Sequence, residues 1–210
     1  MSQFTYEYES QDTELETYEW DNVWWEQTGR DDAARVLYIG DSISCATRGF
    51  GTACSNGNIL FDGFGTSKAL DNPFLYDSIR IFAKQQKSCD AVLFNNGLHG
   101  WHLDDEVQYA HCYEKAVKFL LEEFKNCPVL IVLTTSVANE ETEQRVKRRN
   151  EVAVKIAAKY GLPIVDLYSV SVECSSFRAE DGVHFYPDGC TKFAEQILRD
   201  LKKVIDRSVS

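Results

Sequence analysis

The sequence predicts an α/β protein with three layers, in which helices cover both faces of a parallel sheet of about five strands. Three observations carry this. From Arg35 onward, short apolar runs with strand chemistry alternate with longer segments of helical period, the pattern of βαβ units. The helical segments carry their own start and stop signals, and parallel strands require such crossovers. The chain has 210 residues, enough to bury one large core without metals or disulfides.

Residues 1–32 hold ten acidic residues and one basic one, Arg30, and so supply −9 of the formal net charge of −11. They also hold Phe4, Tyr6, Tyr8, Leu15, Tyr18, Trp20, Val23, Trp24 and Trp25, more aromatic surface than a solvated acidic linker carries. The reading is an acidic, aromatic-rich extension over 1–34 packed on a main domain over 35–210. The alternation Phe4-x-Tyr6-x-Tyr8 predicts a short strand, and the tryptophans are placed either in the core or along a cleft.

In the main domain the expected strands are Val36–Ile39, Ile59–Phe61, Ala91–Phe94, Val129–Thr134 and Ile164–Leu167. Asn72-Pro73 reads as an N-cap and first helical residue, with Leu75, Ile79 and Phe82 continuing the stripe. Val107, Ala110, Tyr113, Val117, Leu120, Leu121 and Phe124 recur at helical steps, so Asp104 to Asn126 should be one helix stopped by Pro128. A further helix runs from about Glu141 to Tyr160, ended by Gly161 and Pro163, and a last one from about Pro187 to Asp206.

Ligands of such sheets sit at the carboxyl ends of the strands. Gly40-Asp41-Ser42-Ile43 puts a hydroxyl there, near a helix N-terminus that favours developing negative charge. A lone serine in that place is also an ordinary N-cap. Between the last strand and the last helix lies Asp181-Gly182-Val183-His184, in which a carboxylate three residues ahead can hold the far nitrogen of an imidazole acting as general base. After the central strand comes Phe94-Asn95-Asn96-Gly97-Leu98-His99, and after the second Gly63-Phe64-Gly65-Thr66. Backbone N–H groups and asparagine amides in those loops are suitable donors to an oxyanion, although asparagines at strand ends are also common turn residues.

In this order the blocks resemble the SGNH hydrolases, the GDSL-type esterases and lipases, over about Arg35 to Asp206. The resemblance implies a flavodoxin-like sandwich and a serine esterase without cofactors. Carried onto this chain, Ser42 is the nucleophile, His184 the base and Asp181 its orienter. The oxyanion would meet the N–H groups of Ser42 and Gly65 and the amide of Asn96. The third block departs from the family, since His99 stands where its asparagine would align; Asn96 is preferred over Asn95 as the replacement, and His99 itself is the other repair. The substrate this implies is a short acyl, preferably acetyl, ester of a small molecule or carbohydrate, with Trp20, Trp24 and Trp25 as a surface for a sugar. Acyl transfer to a sugar acceptor and a silent carbohydrate-binding module of the same fold are the alternatives.

The acidic balance argues against nucleic acid and anionic membrane surfaces, and no apolar stretch is long enough to span a bilayer. Seven cysteines without a Cys-x-x-Cys pair read as reduced thiols of a cytoplasmic protein. His99-x-x-His102 lacks a clear third ligand, so no metal site is expected. The run Arg145, Lys147, Arg148, Arg149 reads as a solvated helix face, with Asn150 as a local hydrogen-bonding residue.

Overall fold

The computed structural model describes residues 14–205. The predicted strand at Phe4–Tyr8 lies outside them. Among the described residues six strands form one sheet: β1 (Asp21–Trp24), β2 (Ala34–Gly40), β3 (Ile59–Thr66), β4 (Ala91–Phe94), β5 (Val129–Val132) and β6 (Ile164–Val165), in the order β1-β3-β2-β4-β5-β6. β2 to β6 are parallel, the five strands expected. β1, from the acidic segment, adds an antiparallel edge to β3.

Helices α1 (Ser42–Cys54), α2 (Pro73–Ala83), α3 (Glu106–Glu123), α4 (Glu140–Tyr160), α5 (Leu167–Glu173) and α6 (Pro187–Ile205) complete the layers, with a 3-10 turn at Ser175–Phe177. The pleat of β2 separates the two cores. Val36 and Tyr38 face Phe193, Ile197 and Leu201 of α6, while Leu37 and Ile39 face Leu75, Ile79, Tyr113, Val117 and Ile156 from α2, α3 and α4. Helix starts follow their caps: Asn72 accepts from Phe74 N–H and Asp105 from Gln108 N–H, and Gly161 ends α4 in the left-handed conformation.

Three features go beyond what the sequence indicated. β3 runs five residues beyond Phe61 because β1 pairs with its far half, Asp21 to Trp24 opposite Thr66 to Gly63. β6 is only two residues long, since Asp166 accepts from Ser169 N–H and opens α5. Buried Arg35 joins the acidic segment to the sheet: it pairs with Asp62 at 3.0 Å and donates to the carbonyls of Glu26, Gln27 and Arg30.

β2 has β3 on one side and β4 on the other, so the chain winds both ways from it. The carboxyl end of β2 is therefore the switch point where a crevice opens, and Ser42 stands there.

Candidate active site

Asp41, rather than Ser42, caps α1: its Oδ1 accepts from Ile43 N–H at 2.9 Å. Ser42 is thus the first residue of the helix, its N–H without an intrahelical acceptor and its hydroxyl free for other work. Asp41 is buried, its Oδ2 has no hydrogen-bond partner among the described residues, and burial raises its pKa.

The loop between the 3-10 turn and α6 brings His184 across the crevice. Gly182 takes φ +77°, which non-glycine residues rarely adopt, and the turn it makes lets Asp181 Oδ1 accept from both Val183 and His184 N–H at 2.9 Å. Asp181 Oδ2 lies 2.6 Å from His184 Nδ1, and His184 Nε2 lies 2.7 Å from Ser42 Oγ. The backbone bond from Val183 and the bonds from His184 hold the Asp181 carboxyl at a pKa of about 2. A carboxylate on Nδ1 selects the tautomer whose Nε2 lone pair faces the hydroxyl. Two segments 142 residues apart in sequence thus meet at one rim of the sheet.

Gly65 and Asn96, the other expected oxyanion donors, both have partners from distant segments. Gly65 is opposite Asn22 in the β1·β3 ladder, and Ser67 N–H donates to the Trp20 carbonyl one step further along. The alternation of an antiparallel pair then puts Gly65 N–H on the Asn22 carbonyl, away from the crevice. What requires glycine at 65 is close packing: a Cβ there would lie 2.2 Å from Cys45 Sγ. Asn96 donates through Nδ2 to the Lys68 carbonyl at 3.1 Å, while its Oδ1 is buried without a partner among the described residues. Asn95 ties β4 to β5 through the Val132 carbonyl and Thr134 Oγ1.

His99 does reach the crevice. A cleft of about 320 Å³ is lined by Ser42, Leu98, His99, Trp101, Val137, Asn139, Thr142 and the Asp181–His184 turn. His99 Nδ1 is gripped by Glu16 of the acidic segment, at 3.1 and 3.3 Å to its two oxygens, and Gly100 N–H donates to the same carboxylate. His102 turns elsewhere, to Asp71 at 2.8 Å.

Arg149 is the residue that the sequence reading missed. It belongs to the run read as a solvated face, yet it is buried and donates to the carbonyls of Gly97, His99, Gly100 and Leu103. Burial lowers its pKa, but an arginine stays charged even so, and four charge-assisted bonds fix the loop that carries His99 and Trp101. Asn150 beside it closes a two-bond clasp on Thr134, accepting from its N–H and donating to its carbonyl. The helical period offered a signal: Val146, Arg149, Val152, Ala153 and Ile156 lie on the inward face. The predicted tryptophans also part company. Trp25 stacks on Phe82 in the core, Trp20 meets the edge of His99, and Trp24 lies over Arg48 beside a separate groove. None of the three lines the cleft.

These features define a three-layer α/β/α protein with a serine, a histidine and an aspartate hydrogen-bonded in series at the switch point of its sheet. No family sequence model matches the chain, and no curated protein sequence matches it. Solved structures do. The chain is similar to a lipase/acylhydrolase from Enterococcus faecalis, at 15% identity and a TM-score of 0.62 over 83% of this chain and 96% of that one. A member of the lipolytic G-D-S-L family from Veillonella parvula aligns at 19% identity and a TM-score of 0.62, over 80% and 97%. An acetylxylan esterase from Geobacillus stearothermophilus aligns at 15% and 0.60, over 82% and 96%. The fold is that of the SGNH, or GDSL-type, hydrolases, in agreement with the resemblance in the motifs.

Proposed function

We propose that this protein is a serine esterase that hydrolyses short acyl esters through Ser42, His184 and Asp181. One observation carries the reading: the continuous relay from Ser42 Oγ to His184 Nε2 at 2.7 Å and from His184 Nδ1 to Asp181 at 2.6 Å. Ser42 Oγ attacks the ester carbonyl as His184 takes its proton, and the imidazolium then returns that proton to the leaving alcohol. Water, deprotonated by the same histidine, attacks the acyl-enzyme, and the acid leaves as Ser42 recovers its proton. The tetrahedral oxyanion forms at the amino end of α1, where the Ser42 N–H and the aligned helix peptides favour negative charge. His99 is the third-block side chain on the cleft, in keeping with its replacing the family's asparagine there.

The size of the cleft and the esterases among the similar folds favour a small ester, with acetyl as the acyl group. Ser42→Ala should abolish turnover of short p-nitrophenyl esters, roughly a 10³-fold loss or more, with an unchanged melting temperature. A serine-directed phosphonate should label Ser42 and nothing else. Full activity in Ser42→Ala overturns the assignment, and a folded wild-type protein that takes no label is a silent module.

A further inference from the structure

The cleft has an aromatic wall that the ester chemistry does not use. Trp101 is 47% exposed and lines the same cleft as Ser42 and His184. One face of its indole is already covered, since the Arg145 guanidinium lies 4.7 Å from the ring centroid. Arg145 is itself held: its Nε donates to Asp104 Oδ1 at 2.9 Å, and its side chain is only 14% exposed. A large ring left half in water forgoes hydrophobic stabilisation, and the clamped guanidinium keeps that ring in one orientation.

Around that ring the lining mixes Leu98, Val137 and Val183 with the polar side chains of Asn139, Thr142 and His99, and among the described residues it carries no Lys or Arg. At the start of α4, Asn139 Oδ1 accepts from Thr142 N–H and Thr142 Oγ1 at 2.9 and 3.0 Å. Its Nδ2 is left as a donor. The lining includes Asp181 but no Lys or Arg, so a carboxylate or phosphate on the ligand would meet no fixed counter-charge and one fixed like charge. The volume of about 320 Å³ is at the lower end of small-molecule sites, about 300–1,000 Å³.

We infer that Trp101, braced by Arg145, is the stacking platform for a neutral sugar ring that carries the scissile acetyl group, with Asn139 and Thr142 facing its hydroxyls. The inference rests on the esterase reading above and adds the alcohol side of the substrate. A pyranose has apolar C–H faces whose hydrogens suit the negative face of an indole, and a polar edge that suits an amide and a hydroxyl.

The test compares kcat/KM for methyl xylopyranoside monoacetate with that for ethyl acetate. In Trp101→Ala the ratio should fall about ten-fold, the upper end of what one aromatic face contributes, mainly through KM on the sugar ester. Trp101→Phe should keep most of the ratio. An unchanged ratio in Trp101→Ala overturns the inference, as does a loss that follows acyl length, measured as ethyl octanoate against ethyl acetate. If the wild-type protein hydrolyses no ester and takes no phosphonate, the esterase reading falls separately. Ligand-observed NMR of the same xyloside acetate then decides the platform: binding that Trp101→Ala removes supports it, and absent or unaffected binding overturns it.

Discussion

The cleft has two sides built in different ways. On the Ser42–His184 side, each group is set by its own neighbours in the chain: Asp41 caps the helix under Ser42, and Asp181 holds His184 from three residues away. On the His99–Trp101 side, almost nothing local does the holding. Arg149, some fifty residues later, grips four carbonyls of the loop, Glu16, more than eighty residues earlier, grips His99, and Arg145 braces Trp101. The first side can lose a side chain and keep its shape, whereas the second depends on remote buried partners, so that its shape and the protein's stability are coupled.

The largest effect that tests this contrast is His184→Ala. It should lower kcat by about 10⁴-fold and leave the melting temperature close to that of the wild type, because His184 is 42% exposed; a large loss of stability would break the distinction. Arg149→Ala should behave in the opposite way. It strands buried carbonyls, costing about 3 kcal/mol in chemical unfolding, and lowers esterase activity as well. Glu16→Gln should cost about 1 kcal/mol and reduce activity less than Arg149→Ala does. If it matters as little as an ordinary surface change, the acidic segment is not part of the wall.

The smallest effect is in pH. Asp181 has its pKa depressed to about 2, below the ordinary value of about 3.9. Its contribution to stability is therefore complete above about pH 4 and lost as the pH falls towards 2. Acid unfolding of wild type and Asp181→Asn should differ by a constant, small amount above that window and converge within it.

The chemistry of the first side was readable because it is local. A cap next to a serine, and an aspartate three residues before a histidine, are short-range patterns, and the strand runs that place them at one sheet edge are strong. The same reading could not foresee what engages Gly65 and Asn96, since the amino-terminal edge strand and the Lys68 carbonyl are contacts between distant segments. It also looked for an aromatic surface in Trp20, Trp24 and Trp25, the densest cluster, when the ring at the cleft is the isolated Trp101.

By itself the sequence determined the three layers, the five parallel strands, the starts of α2, α4 and α6 and the motif residues at the strand ends, because periodicity and capping act over a few residues. Only the tertiary structure decided that the acidic segment supplies a sixth strand, that Arg149 is interior, and which polar groups of each loop face the cleft. A donor's direction depends on which partner claims it, and here the partners come from parts of the chain tens of residues away, where local pattern carries no information.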